Sequence, residues 1–306
     1  MSVTPWLWVI FTVVAAGSQT LRNAMQKELT ATLGTVGATH VRFLFGLPFA
    51  IVFLGMVIGV SGEPFHWPGG EALAWTVVGG LGQIAATALM LAAMRLRSFV
   101  VATALTKIEP LWVAVFGLVF LGDALTAGTG VAILVATCGV MVMSWPKQAV
   151  AGDAGWSWQP ALLGMASGAL FGVAAIGYRG GILALDHPNF VVGASSILVT
   201  GLVFQTIVLS AYLLIRDRDN LRAIFQAWRP SLFAGFMGAF ASQFWFLAFA
   251  VESAARVRTL ALVEILFAQI VTRNLFRQKL ASREALGIGL IVAGVILLLN
   301  LQPARP

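Results

Sequence analysis

The 306-residue chain is 59% hydrophobic and only 10% charged, with a formal net charge of +7. So little polar sequence cannot cover a soluble surface, and the composition indicates a polytopic membrane protein. The basic residues are scattered through short connections with no aromatic–basic cluster, which argues against nucleic acid, and the single cysteine, Cys138, excludes an intrachain disulfide.

A helix needs roughly 20 apolar residues to cross a bilayer. Ten such runs are read, at about 4–26, 35–59, 72–94, 99–121, 127–145, 159–179, 190–214, 230–251, 255–276 and 284–301. The start, MSVTPWLW, has no Lys or Arg ahead of the first run, so that run is expected to stay as a spanning helix. The longer connections are 60–71, a hinge at 147–158 and the charged turn Arg216–Arg229.

In the first run Gln19, Arg22, Asn23 and Gln26 share one helical face. Either a polar stripe lies there at membrane depth, or the helix emerges into water. The second run carries Thr35, Thr39, Arg42 and Gly46 on one face, with His40 beside them. An arginine inside a span is costly unless it snorkels, pairs or lines a wet cavity, where it would meet a solute carboxylate. The third run offers Gln83 and Thr87, read as glue between helices and as a secondary candidate contact.

The fourth run is interrupted by Lys107, Glu109 and Pro110. Glu109 shares a face with Trp112 and Phe116, while Lys107 points elsewhere. Pro110 removes a backbone donor beside the carboxylate. Such a carboxylate either binds a proton or cationic group, or is satisfied by a neighbouring helix. Beyond the hinge, Gly164, Gly168 and Gly172 make a face for close helix packing. Gln243 and Trp245 mark the eighth run, and Glu264 the ninth, with Gln269, Arg273 and Asn274 further along.

Residues 257–281 align without a gap on 102–126, placing Glu264 on Glu109, and further on Gly294 falls on Gly139. The fold class expected is therefore all-α: ten transmembrane helices as two inverted five-helix repeats, 1–146 and 159–306. An odd number of spans per repeat makes the second enter from the opposite side. His40, His66 and His187 have no metal spacing, and neither a phosphate-binding glycine loop nor a nucleophile motif is present. No cofactor or metal is expected, and a transporter is preferred over an enzyme. The alternative is a membrane-embedded enzyme using Glu109 and Glu264 as acid and base.

Four stretches resemble the EamA-type drug/metabolite transporter superfamily. They are AAGSQTLRNAMQK in the first span, HVRFLFGL in the second, LAAMRLRSFVVATALTKIEPLW across the third and fourth, and FLGDALT closing the fourth. AFAVESAARVRTLALVEILF and LFRQKLAS repeat the last two in the second half. Ala16, Asp123 and Gln278 depart from the family pattern. The resemblance implies secondary export of small metabolites, amino acids or amphiphilic drugs through a central cavity, in a bacterial inner membrane and with both termini in the cytoplasm.

The positive-inside rule disagrees with that orientation. Loops after odd-numbered runs carry Arg22, Lys27, Arg95, Arg97, Lys147, Arg216, Arg218, Arg222, Arg229, Arg277, Lys279 and Arg283, of which Arg22, Arg95 and Arg97 are discounted as cavity-rim residues. Even-side loops and the tail carry Arg179, Arg256, Arg258 and Arg305. Cytoplasmic termini are the reading taken from the sequence. The paired glutamates suggest a cationic or zwitterionic solute, amino-acid-like, with Trp112, Phe116, Trp245 and Phe267 as an apolar wall. The binding residues expected are Gln19, Asn23, Arg42, Gln83, Glu109, Trp112, Gln243, Trp245 and Glu264. Coupling to protons is assigned mainly to Glu109, because Glu264 lacks the following proline and is expected in a regular helix.

Overall fold

A computed structural model describes residues 6–96, 106–144, 159–265 and 282–301, and all regular structure among them is helical. The hinge at 147–158, together with Phe267, Gln269, Arg273, Asn274 and Gln278, lies outside the described residues. The helices are α1 (Leu7–Leu44), α2 (Leu47–Ser61), α3 (Gly70–Leu96), α4 (Glu109–Phe116), α5 (Ala127–Ser144), α6 (Gln159–Leu185), α7 (Phe190–Arg216), α8 (Arg218–Gln226), α9 (Trp228–Val251), α10 (Ala254–Leu260) and α11 (Ser282–Asn300). Among the described residues six stretches are long and apolar enough to cross a membrane, with Leu7–Ser61 counted as one; Glu109–Leu121 and Ala127–Met143 are shorter.

The first helix is two arms. Gly34 leaves the helical region at φ 65°, ψ −176°, a conformation open mainly to glycine. Gln26 Nε2 donates to the Ala38 carbonyl at 3.0 Å, whereas residues twelve apart in one helix would be roughly 18 Å apart. The chain therefore reverses at Gly34. The second expected run is itself divided before Leu47, where Pro48 sits in the first turn of α2 and has no N–H to continue a ladder.

The charged turn expected at Arg216–Arg229 is instead helical over Arg218–Gln226. Asp217 caps it by accepting from the Asn220 N–H. Ile224 is buried, and Asn220 Nδ2 donates to the Leu33 carbonyl at 3.0 Å. A polar, charged sequence concealed a helix that docks one apolar residue and caps the Gly34 reversal.

Three helix pairs dominate the packing: α3 with α6, α1 with α9, and α5 with α11. Exchanging the two halves of the chain turns the first pair into the second and the third into itself. That reciprocity fits a two-repeat architecture. Each crossing is close. A Cβ at Gly177 would lie 2.5 Å from the Gly79 nitrogen, and one at Gly139 would lie 2.7 Å from the Gly287 carbonyl oxygen. Gly168 and Gly172 bring α6 against the Thr106 carbonyl and Trp112, the packing role read from their spacing. Outward, Ile51, Val52, Met56, Val60, Val119 and Phe120 are exposed, apolar surface that a bilayer would cover.

Gly177→Ala is expected to lower stability in detergent by about 1–3 kcal/mol, because the contact is backbone and cannot yield. Gly59→Ala, with open space around it, is expected to leave thermal unfolding unchanged or slightly improved. Differential scanning fluorimetry on the two purified variants makes the comparison.

Candidate functional site

At the entry to α4 the chain turns through Lys107 and Ile108 before Pro110 sets the first helical turn. Lys107 and Glu109, two residues apart, therefore point in different directions. Lys107 Nζ forms an ion pair with Glu264, and Glu109 Oε1 lies 2.9 Å from Arg258 Nε. All four side chains are buried. Each carboxylate is thus held by a cation from the other half of the chain. The Glu109–Arg258 contact is off the hydrogen-bonding direction, and Glu109 Oε1 and Arg258 Nε both lack a hydrogen bond. Glu264 is held more firmly, since Gln19 Nε2 also donates to its Oε2 at 3.3 Å.

Gln19 works in both directions, for its Oε1 accepts from Trp245 Nε1 at 3.0 Å. Trp245 in turn lies beneath Arg258, whose guanidinium is 4.3 Å from the Trp245 ring and 5.3 Å from that of Phe249. The regular helix expected around Glu264 is not found. Ala261–Val263 form a 3-10 turn immediately before it. Three residues at the tighter winding rotate the next residues by roughly 60° relative to an α-helix. Both glutamates therefore sit beside irregular backbone.

The polar face of α1 is internal. Arg22 is 1% exposed, and Asn23 and Gln26 are also buried, so the helix does not emerge into water there. Arg22 Nε and Nη2 donate to Asn23 Oδ1 at 3.3 and 2.7 Å. Arg42 does not snorkel either: it is buried, donating to Thr87 Oγ1 at 3.3 Å and Ser242 Oγ at 3.5 Å. Gln19, Arg22, Asn23, Lys107, Glu109 and Arg258 face a small cavity, with Met90 and Phe171 as apolar walls. It has room for about one water.

The other expected site residues lie elsewhere. Gln83 accepts from Tyr178 and Gln205, and Gln243 donates to Ser195 at 2.7 Å; both tie helices together. Trp112 is 39% exposed, stacked on Phe116 and covering Gly172, and is not among the residues lining the cavity. His40 contacts Ser210, and His187 contacts the Pro64 carbonyl in a loop beside His66. Sequence reasoning set Lys107 aside, placed Arg22 in the polar stripe without naming it a binding residue, and counted Arg258 as a flanking charge. The signal that marks them is a cation inside an apolar run.

A second polar web closes the end of the bundle where the described termini lie. Arg179, near the end of α6, donates to the carbonyls of Phe249 and Glu252, each at 2.6 Å. Its Nη2 is 3.2 Å from Asp123, which follows a π-helical turn, Gly117–Leu121. Glu252 also pairs with Arg256 at 3.4 Å. Arg256 donates to the Leu301 carbonyl and lies over the Trp8 ring.

The model of the EamA-like transporter family matches residues 6–145 and 158–300. No curated protein matches the chain. A solved structure described only as "Crystal structure of protein" is similar over 95% of this chain and 99% of its own, at 14% identity and a TM-score of 0.65. That likeness shows the fold alone.

Removing one member of a buried ion pair strands the other. Lys107→Met is therefore expected to cost about 3–5 kcal/mol of stability. Lys107→Met with Glu264→Gln is expected to recover most of the loss, and a double-mutant cycle by thermal unfolding in detergent measures the coupling.

Proposed function

The chain belongs to the EamA-like transporter family, and from that premise we propose that it is a secondary transporter exporting a small amphiphilic, amino-acid-like metabolite across a bacterial inner membrane. In this reading ten spans form two inverted repeats, 1–146 and 159–306, joined by the hinge at 147–158. The observation that carries it is the exchange of buried charges between the halves. Gln19, which touches that cluster, is twelve residues past Leu7. This is roughly 18 Å along the helix, near the middle of a hydrocarbon core about 30 Å thick.

Alternating access requires the halves to part at one end while closing at the other. The web of Arg179, Asp123, Glu252 and Arg256 supports a gate at the termini end, because it ties α6, α9, α10 and the turn after α4 together. Proton coupling is assigned to Glu109. It lines the cavity, and its contact with Arg258 is misaligned, whereas Glu264 has both Lys107 and Gln19.

Burial also changes the orientation we favour. Arg22, Arg256 and Arg258 are inside the bundle and Arg179 is engaged in the web, so none of them counts as a loop charge. Among the described residues the exposed basic side chains Arg95, Arg216, Arg218, Arg222, Arg229 and Arg283 all belong to the end away from the termini. The positive-inside rule then assigns that end to the cytoplasm. This reverses the orientation taken from the family resemblance.

Two outcomes are expected. In proteoliposomes given a panel of labelled metabolites, Glu109→Gln abolishes uptake driven by a pH gradient, while Glu264→Gln reduces it less; equal losses would make the pair symmetric. A reporter active only in the periplasm, fused after Pro306, is active. Activity of a cytoplasmic reporter at that position would restore the opposite orientation.

A further inference from the structure

We propose that the transported solute is an organic anion whose carboxylate is received by Arg22 and Arg42; this rests on the transporter reading and replaces its amino-acid-like solute with an anionic one. The two glutamates invite a cationic solute only until their partners are counted. Among the described residues four cations, Arg22, Arg42, Lys107 and Arg258, are buried in this region. The buried carboxylates among them are Glu109 and Glu264, held by Arg258 and Lys107. Arg22 and Arg42 are left with neutral partners: the Asn23 amide for one, the hydroxyls of Thr87 and Ser242 for the other. Glu264 is near enough for its charge to act on Arg22, but Lys107 and Gln19 already engage it.

The two guanidinium groups also keep unused donors. Arg22 Nη1 and Arg42 Nε are buried without a hydrogen-bond partner among the described residues. Their stems converge on one glycine. A Cβ at Gly238 of α9 would lie 3.2 Å from Arg42 Cγ and 3.4 Å from Arg22 Cδ. Two arginines from the two arms of α1 are thereby brought alongside each other, and their charges repel. A buried positive charge without a counter-ion is unfavourable. Arg22 lines the cavity and Arg42 lies behind it across Gly238, so an anionic group entering there supplies that counter-ion, and the planar fork of an arginine suits the two oxygens of a carboxylate. Met90 and Phe171 line the same cavity and offer apolar contact to the rest of the solute. An ammonium group, by contrast, would have to displace Arg258 from Glu109.

The test uses the full chain in detergent and in proteoliposomes, with probes of matched length (hexanoate, hexanamide and hexylamine) and inorganic phosphate. Hexanoate is expected to raise the unfolding temperature and to inhibit uptake of the transported metabolite, whereas the amide and amine are not. In Arg22→Gln and Arg42→Gln, hexanoate binding is expected to weaken at least about tenfold, the loss of a charge-assisted pair. The same variants without ligand are expected to unfold at a higher temperature than the parent, since an unmatched buried charge has gone; a merely structural arginine would lower it. Protection by hexylamine, by phosphate alone or by none of the probes overturns the proposal. If a labelled metabolite still accumulates in vesicles in those cases, the transporter reading survives; if none accumulates, that reading fails as well.

Discussion

The constraint on which the centre of this molecule depends is the cost of charge in a medium that cannot solvate it. Lys107, Glu109, Arg258 and Glu264 are each untenable alone in a low-dielectric interior. They are stable together because the partners come from opposite halves: Lys107 reaches Glu264, and Arg258 reaches Glu109. Pairing within one half would leave the halves free to separate. Pairing across them makes their apposition a condition of charge balance, so the ion pairs specify how the halves meet more than they add to stability. The aromatic faces of Trp245 and Phe249 under Arg258, and the amide of Gln19 between Trp245 and Glu264, fix the directions in which these charges point.

That arrangement needs backbones close enough for short side chains to bridge. Glycine provides the approach at Gly79 against Gly177, at Gly139 against Gly287, and at Gly294 against Ala136. In lipid, where apolar surface gains little from leaving its surroundings, such contacts must be tight to hold helices at all. The matched register of Gly139 and Gly294 has a structural meaning: both lie in the one crossing of α5 and α11.

Much of this was legible in the sequence. Apolar runs reported the long helices because hydrophobic length is a local property, and the aligned glutamates reported the centre because carboxylates in apolar runs are rare. What escaped was non-local. Nothing near Lys107 announces that its partner is Glu264, and Arg258 reads as a flanking charge until α10 is seen buried. Trp112 shared a helical face with Glu109 by count, yet lies 39% exposed against Gly172 of α6 and outside the cavity lining, since three residues of a helix turn through about 300° rather than a full circle. The hairpin at Gly34 was visible as a gap between two runs, but its tightness was not. One backbone angle at a glycine decides it.

The cavity and the web at the termini end are not independent features. Arg256 and Arg258 are two residues apart on the short helix α10, so their side chains leave it in nearly opposite directions, about 200° apart. Arg256 is fastened to Glu252 and the end of α11, and Arg258 to Glu109. A helix this short behaves as one rigid piece. Rotating or translating it to free Arg256 from the Leu301 carbonyl necessarily shifts Arg258 against Glu109. Phe249 adds a second link, because its carbonyl accepts from Arg179 in the web while its ring lies under Arg258 in the centre. The lining of the cavity and the web at the termini end are therefore mechanically joined through α10 and the last turn of α9. Under the proposed transport, a solute that alters the charge balance around Arg258 acts on the same elements that tie that end together.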